Sequence, residues 1–212
     1  MGEHVRIEEQ KTYAVIWMED EEQHNMLTRA FMEALSSAVA EVAKNPRMRG
    51  MILTSGASVF CAGASVEEMY PLNREEADRF GQIGRNLNRA IEDLKMISVA
   101  AIGGLCAGGG NELAISCTCR IASVRARFSQ PEVSLGIIPG AGGSYRLPRL
   151  IGVGRAKELL YAGEMINARY AQRIGLVDQV VRPEELLPEA RRFLEARIKD
   201  QEGDLYDKFR NI

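Results

Sequence analysis

The sequence predicts an α/β fold built around a single core. Short apolar segments alternate along the chain with longer amphipathic segments, which is the pattern of strands followed by helices. The 212 residues suffice for one well-cored domain, and 46% hydrophobic with 26% charged residues is an ordinary balance for a globular protein. No long linker, low-complexity tract or fixed-period repeat divides the sequence.

In the first half, the elements follow from apolar periodicity and from the residues that end each segment. Thr28 is a suitable N-cap for the first helix, which Asn45-Pro46 ends, and Ser65-Val-Glu-Glu68 has the capping-box pattern that opens the second. The predicted strands are Thr12–Met18 and Gly50–Ser55, and the predicted helices are Arg29–Lys44, a short one after Ser65, and Arg74–Leu94.

In the second half, glycine-rich turns make the elements shorter. The run GGLCAGGGNEL (103–113) follows a buried strand and opens a helix that carries Glu112, and the turn Ile138–Gly143 leads into another. The predicted strands are Ser98–Ile102, Cys119–Ser123 and Gly175–Val181, and the helices are one ending at Cys117, Ser144–Ile151, Arg155–Ala162, Ala168–Ile174 and one from Pro183 towards Lys199.

Composition excludes several function classes. A net charge of −2 gives no basic field for nucleic acid or anionic lipid, and no apolar run is long enough to span a bilayer. The N-terminus lacks the apolar core of a secretion signal. The four cysteines lie amid apolar residues, and no zinc-ligand motif occurs. We therefore expect a cytoplasmic protein that has no disulfides and binds no metal, nucleic acid or membrane.

The glycine run has three interpretations. A dinucleotide fingerprint needs a third glycine, but Gly108-Gly-Gly110 is followed by Asn111, Glu112 and Leu113. A phosphate-binding P-loop needs a Gly-Lys pair, which the chain lacks, and the G-x-S-x-G motif of serine hydrolases is also missing. The third interpretation is an oxyanion hole formed by N–H groups at a helix N-terminus. The small residues of Phe60–Ser65 offer the second donor.

Two glutamates are the candidate proton-transfer groups. Glu112 closes the glycine run, and Glu132 lies in the segment FSQPEVSLG (128–136). Two carboxylates on one substrate can give and take a proton. An isolated glutamate is more often an ordinary surface residue, but the sequence that flanks these two favours a functional role.

Four motifs in order resemble the crotonase superfamily, the enoyl-CoA hydratase/isomerase group. They are FCAGASVEEM (60–69), SVAAIGGLCAGGGNELAISC (98–117), FSQPEVSLGIIPGAGGSYRLPRLIG (128–152) and ARYAQRIGLVDQVV (168–181). Asn25-Met-Leu27 resembles the family's N-terminal Asn-Ala-Leu. The similarity covers about residues 12–195, so it implies a core domain of residues 1–195 with a spiral of β-β-α repeats, and a shortened C-terminal helical segment of residues 196–212.

The resemblance also implies a mechanism. Ala64 and Gly109 would supply the two backbone N–H groups that hold a thioester enolate; Glu112 would activate water, and Glu132 would protonate the α-carbon. The implied substrate-binding residues are Ala62, Ala64, Val66, Gly109, Pro139 and Gly140. No cofactor is implied beyond the coenzyme A, or carrier-protein pantetheine, that belongs to the substrate. Two glutamates favour hydration, because isomerase members characteristically keep only the second.

Departures from the family pattern leave alternatives open. Where relatives often carry phosphate-binding lysines, this chain has four acidic residues, namely Glu21, Glu22, Glu67 and Glu68. Arg29 is a substitute for phosphate binding, and an acyl carrier protein is an alternative source of substrate. Family members assemble as trimers or hexamers, so we expect a homo-oligomer. The remaining alternatives are an isomerase or other enolate-forming enzyme, and a weakly active oligomeric partner of another enzyme.

Overall fold

The computed structural model describes residues 4–56 and 58–202, which form ten strands and eight α-helices. The strands are β1 Val5–Glu9, β2 Tyr13–Met18, β3 Gly50–Ser55, β4 Val59–Cys61, β5 Ile97–Ile102, β6 Leu105–Ala107, β7 Cys119–Ser123, β8 Arg127–Ser129, β9 Ile166–Asn167 and β10 Gln179–Val181. The helices are α1 Arg29–Lys44, α2 Val66–Met69, α3 Arg74–Glu92, α4 Gly109–Ser116, α5 Gly143–Ile151, α6 Val153–Ala162, α7 Ala168–Arg173 and α8 Leu186–Glu202.

Two sheets run side by side along the molecule. The larger has the order β1-β2-β3-β5-β7-β10, and the smaller has the order β4-β6-β8-β9. Strands β3, β5 and β7 lie in the larger sheet, and the strand that follows each of them lies in the smaller one. Helices then return the chain to the next strand of the larger sheet, with parallel pairing. This repeated β-β-α path is the spiral that the family resemblance implies.

The predicted elements of the larger sheet are largely as observed, whereas the smaller sheet was not predicted. Its strands have only two or three residues each, too few to show alternation of apolar and polar side chains. The edge strand β1 was also missed. The predicted strand Gly175–Val181 is wrong over its first half: Gly175 has φ 85°, and the amides of Leu176 and Val177 donate to the carbonyl of Ala171 at the end of α7.

The two predicted N-cap residues cap α1 and α2, and Glu68 connects the two helices. Thr28 accepts a hydrogen bond from the amide of Phe31 and caps α1, and Ser65 accepts one from the amide of Glu68 and caps α2. The predicted capping box at Ser65 is only half formed, because the Glu68 carboxylate accepts from the amide of Arg29 instead, at 2.9 Å. Glu68 therefore stabilises the start of α1 and fixes α2 against it.

The larger sheet is buried on both faces. Alternate residues of its strands, such as Ile16 and Leu53, pack against the helices on one side, and their neighbours, such as Val15 and Ile52, pack against α8 on the other. The predicted boundary at residue 195 falls inside α8, and residues 203–212 lie outside the described part of the chain. No helix in the described ranges has the length and apolarity needed to cross a membrane.

Leu194 fixes α8 to the sheet. It is fully buried, and a Cβ on Gly50 of β3 would lie only 2.6 Å from one of its methyl groups, so the helix packs directly on backbone. We expect Leu194→Ala to lower the free energy of unfolding by about 2–5 kcal/mol, as for other large-to-small core changes. Urea unfolding followed by circular dichroism measures this loss, and an unchanged midpoint would contradict the packing described.

Candidate active site

A cavity of about 400 Å³ opens between the start of α4, the loop after β4 and the side of α3 that carries Phe80, Gly81 and Gly84. Both candidate glutamates, Glu112 and Glu132, line it, together with five of the six predicted substrate-binding residues: Ala62, Ala64, Val66, Gly109 and Gly140. The sixth, Pro139, lies outside the lining; its Cβ is 3.0 Å from the point where a side chain on Gly143 would begin. Residues from four distant parts of the sequence therefore meet at one cavity.

The amide of Ala64 is turned into this cavity by its pairing with Leu27. The amide of Leu27 donates to the carbonyl of Gly63 at 2.8 Å, and the amide of Ser65 donates to the carbonyl of Leu27 at 3.3 Å. In such a parallel bridge, the N–H of the middle residue faces away from its partner. Among the described residues, no group accepts a hydrogen bond from Ala64, so its N–H is available to a ligand.

The second donor is the amide of Gly109, the first residue of α4 and therefore without an acceptor inside the helix. A Cβ on Gly109 would lie 3.4 Å from the amide nitrogen of Ala64 and 3.8 Å from Oε2 of Glu112. The preceding Gly108 has φ 49°, which favours glycine. Two amides and one carboxylate oxygen thus border the same small space, and the N-terminus of α4 adds its positive dipole.

Glu112 is held by the turn that precedes α5. Its Oε1 accepts hydrogen bonds from the amides of Ala141 and Gly143, at 2.9 and 2.6 Å. Its Oε2 accepts none from the described residues and faces the cavity. Burial raises the pKa of Glu112, while the two amides and the charge of Arg146 act in the opposite direction. The two amides stabilise the ionised form, and the free oxygen can accept a proton.

Glu132 lies in a 3₁₀ turn, Pro131–Leu135, opposite the glycine run. Burial, with a smaller contribution from the negative charge of Glu112, raises the pKa of Glu132 to about 7. Its Oε2 is buried and has no hydrogen-bond partner among the described residues. A carboxyl group in this state can hold a proton near neutral pH and deliver it to a bound molecule.

A buried pair of amides lies behind Glu132. The Asn111 side-chain amide contacts that of Gln130 at 3.0 Å, and Gln130 lies 3.4 Å from Oε1 of Glu132. The Gln130 amide group also lies within hydrogen-bonding distance of the carbonyls of Gly108 and Ser129, at 3.1 and 3.3 Å, so it packs between the glycine run and the segment that carries Glu132.

Several residues of this site have no role in the sequence-based predictions. The turn containing Ala141 and Gly143 was predicted, but not that its amides hold Glu112. The amphipathic pattern of α3 predicted a helix, but not that Phe80, Gly81 and Gly84 form a wall of the cavity. The short turn and the glycines within α3 are the only signals that could have indicated either feature.

Gly143 offers a direct test of how Glu112 is held. A Cβ there would lie 3.0 Å from Oε1 of Glu112 and 2.9 Å from the side-chain nitrogen of Gln130. We expect Gly143→Ala to displace the Glu112 carboxylate and to lower kcat for the reaction proposed below by about 10–100-fold. Steady-state kinetics measures the loss. Gly154→Ala, at an open position on α6, is the matched control and should have the wild-type rate.

The four acidic residues that replace the expected lysines are not among the residues that line the cavity. Glu21, Glu22 and Glu67 are exposed, and the carboxylate of Glu68 caps α1.

No group of three or more His, Cys, Asp or Glu residues in the described part of the chain is placed to hold a metal ion.

Comparison with known proteins identifies the family. The enoyl-CoA hydratase/isomerase family matches residues 8–209. The chain belongs to this family. A crotonyl-CoA hydratase of Syntrophomonas wolfei is 44% identical over 191 residues, covering 90% of this chain and 74% of the relative. A short-chain-enoyl-CoA hydratase of Clostridium acetobutylicum is 40% identical over 188 residues, covering 88% and 72%.

Solved structures of the enoyl-CoA hydratase/isomerase family share the fold. An enoyl-CoA hydratase from Bacillus anthracis superposes with a TM-score of 0.89 at 37% identity, covering 93% of this chain and 77% of the other. The predicted family and the predicted α/β spiral are therefore confirmed, and so is the prediction that the chain is an enzyme of the hydratase type.

Proposed function

We propose that this enzyme adds water across the α,β-double bond of an enoyl thioester, or removes it in the reverse direction. The observation that carries the proposal is the meeting of two free backbone amides and two buried carboxyl groups at one cavity. Its relatives at 40–44% identity are hydratases of crotonyl-CoA and of short-chain enoyl-CoA.

In the proposed reaction, the thioester oxygen accepts hydrogen bonds from Ala64 and Gly109. Glu112 removes a proton from water as the water oxygen bonds to the β-carbon, and electrons move to the thioester oxygen to give an enolate. Preorganised donors of this kind stabilise the developing charge, and loss of one typically costs about 3 kcal/mol. Glu132 then donates its proton to the α-carbon, which restores the thioester.

Hydration is favoured over double-bond migration because Glu112 is positioned for a task that migration does not need. Two amides orient its carboxylate so that one oxygen remains free in the cavity. This oxygen, Oε2, is 3.8 Å from the point where a Cβ on Gly109 would lie. A single carboxyl group suffices to move a proton between two carbons. The second, separately oriented carboxylate is best explained as the base for water.

The rate of hydration should depend on pH through both glutamates. Hydration needs Glu132 protonated, so kcat/KM is expected to fall as pH rises through its pKa of about 7. It needs Glu112 ionised, so the rate should also fall at acidic pH, below the raised pKa of that group. A pH–rate profile with crotonyl thioester measures both limbs. A flat profile through neutral pH would contradict the role given to Glu132.

We further propose a coenzyme A thioester as the substrate and a homo-oligomer, such as a trimer, as the working assembly. Exposed apolar side chains on α6 and near it, including Val153, Tyr161 and Met165, support self-association. The four free cysteines, three of them buried, fit the reducing cytoplasm. Light scattering after size exclusion tests the assembly, and a carrier-protein thioester is the alternative substrate to compare.

The proposed activity is tested with purified protein and crotonyl-CoA. Hydration removes the conjugated double bond, so absorbance in the ultraviolet falls, and the hydroxyacyl product is identified by mass. The same acyl group on an acyl carrier protein and on free pantetheine shows which carrier is preferred. Migration of the double bond without water addition would favour an isomerase, and no turnover of any thioester would leave only the role of an oligomeric partner.

A further inference from the structure

We propose that Asn25 is a positioning residue that sets the oxyanion hole, by holding the segment that carries Ala64 and packing Leu27 against Gly109. The inference rests on the proposed function, because it gives a role in catalysis to a residue remote from the glutamates. Asn25 and Leu27 belong to a short loop of four residues, His24, Asn25, Met26 and Leu27, called loop 24–27.

Asn25 is a fully buried polar side chain whose hydrogen bonds all go to backbone. Its Oδ1 accepts from the amide of Asp20 at 2.8 Å, and its Nδ2 donates to the carbonyls of Val59 and Phe60, both at 3.2 Å. Val59 and Phe60 belong to β4, the strand that leads directly to Ala64. Asn25 thus ties the strand that carries one oxyanion donor to a loop distant in sequence.

Backbone hydrogen bonds continue this attachment to Ala64 itself. The carbonyl of His24 accepts from the amide of Ala62 at 3.1 Å, and Leu27 exchanges hydrogen bonds with the residues on either side of Ala64. From Val59 to Ser65, the segment is therefore bonded to loop 24–27 at every second residue or closer. The direction of the Ala64 N–H follows from where this loop lies.

The same loop contacts the second donor. A Cβ on Gly109 would lie 3.0 Å from Cδ1 of Leu27, so the leucine side chain packs directly on the first turn of α4. A displacement of loop 24–27 would move Ala64 through its hydrogen bonds and would remove a contact of Gly109. Both donors of the hole therefore depend on one loop.

The backbone of this loop is held in an uncommon conformation. His24 and Asn25 have φ of 55° and 51°, and they are the only non-glycine residues with positive φ among those the structure describes. Asparagine tolerates this region better than most residues. Such conformations persist where surrounding contacts fix them, and they occur often at functional sites. Here the contacts that fix Asn25 are the same ones that position β4.

The test compares Asn25→Ala and Asn25→Asp with the wild-type enzyme. The aspartate keeps the acceptor for Asp20 but loses the donor to the two β4 carbonyls, and it serves if the alanine variant does not fold. We expect kcat for crotonyl thioester to fall by about 10²-fold in either variant, with little change in KM. Leu194→Ala, a core change remote from the cavity, is the control for destabilisation and should keep the wild-type kcat.

A spectroscopic measurement separates positioning from a general loss of structure. A cinnamoyl thioester absorbs at longer wavelength when its carbonyl is polarised by hydrogen bonds. We expect a red shift on binding to the wild-type enzyme, a smaller one with either Asn25 variant, and the full shift with Leu194→Ala. Full shift and full kcat in the Asn25 variants would overturn the inference. No shift in the wild-type enzyme would instead contradict the proposed function.

Discussion

Replacing Glu112 by glutamine is expected to lower the rate of enoyl-thioester hydration by about 10³-fold or more, because the amide cannot take a proton from water. The fold should survive, since the glutamine oxygen can still accept from the amides of Ala141 and Gly143 that hold Glu112. Hydration of crotonyl-CoA by the purified variant, with circular dichroism for the fold, measures both parts. A variant with the full hydration rate would contradict the role of Glu112 as the base that activates water.

Glu112→Ala is the informative comparison. It removes the base and also leaves the two amides without their acceptor in a buried position, at a cost of about 1–3 kcal/mol for each unpaired group. The alanine variant should therefore be inactive and also less stable than Glu112→Gln. Equal stability of the two variants in urea would show that the turn before α5 does not depend on this carboxylate.

Replacing Glu132 by glutamine should abolish proton transfer at the α-carbon, again with a loss of about 10³-fold or more in hydration. A saturated thioester such as butyryl-CoA isolates this step, because its α-protons exchange with deuterated solvent without any addition of water. We expect Glu132→Gln to lose this exchange and Glu112→Gln to keep it. Loss of exchange in the Glu112 variant alone would show that the two roles are reversed.

The free energy of unfolding of Glu132→Gln provides a control, because this variant should lose activity and yet gain stability. A carboxyl group whose pKa rises from 4.5 to about 7 on folding makes the folded state less stable as pH increases through that range, by up to about 3 kcal/mol above it. Glutamine carries no charge, so the variant should be more stable than wild type at pH 8 and gain little at pH 4.5. Urea unfolding at both values measures the difference.

The sequence predicted the elements that bury long apolar segments. Helix α1 and strands β3 and β7 have the predicted bounds, because their apolar periodicity and end signals agree. The smaller sheet could not be predicted, since strands such as Leu105–Ala107 are defined by pairing with distant segments and not by their own pattern. Length explains why the strands of the smaller sheet were missed, whereas β1 has five residues, as β7 does, but three of the five are charged.

The candidate site was also predicted only in part. The motifs around Glu112 and Glu132 indicated which groups could do chemistry, and the family resemblance assigned their roles. What holds those groups is tertiary: amides of the turn at Ala141 and Gly143, and loop 24–27 behind Ala64. Such backbone contacts leave no residue-type signature, except where a glycine is needed for space, as at Gly143. The positive φ at Asn25 is equally invisible without coordinates.

In the proposed mechanism, the amides of Ala64 and Gly109 bind one thioester oxygen while the two glutamates face the adjacent carbons. A crystal structure of the wild-type enzyme with a saturated acyl-CoA bound tests it most directly. We expect the thioester oxygen to lie about 2.7–3.1 Å from both amide nitrogens, with the β-carbon towards Glu112 and the α-carbon towards Glu132. An acyl group bound in this cavity with its oxygen away from both amides, or a thioester bound at another face of the molecule, would contradict it.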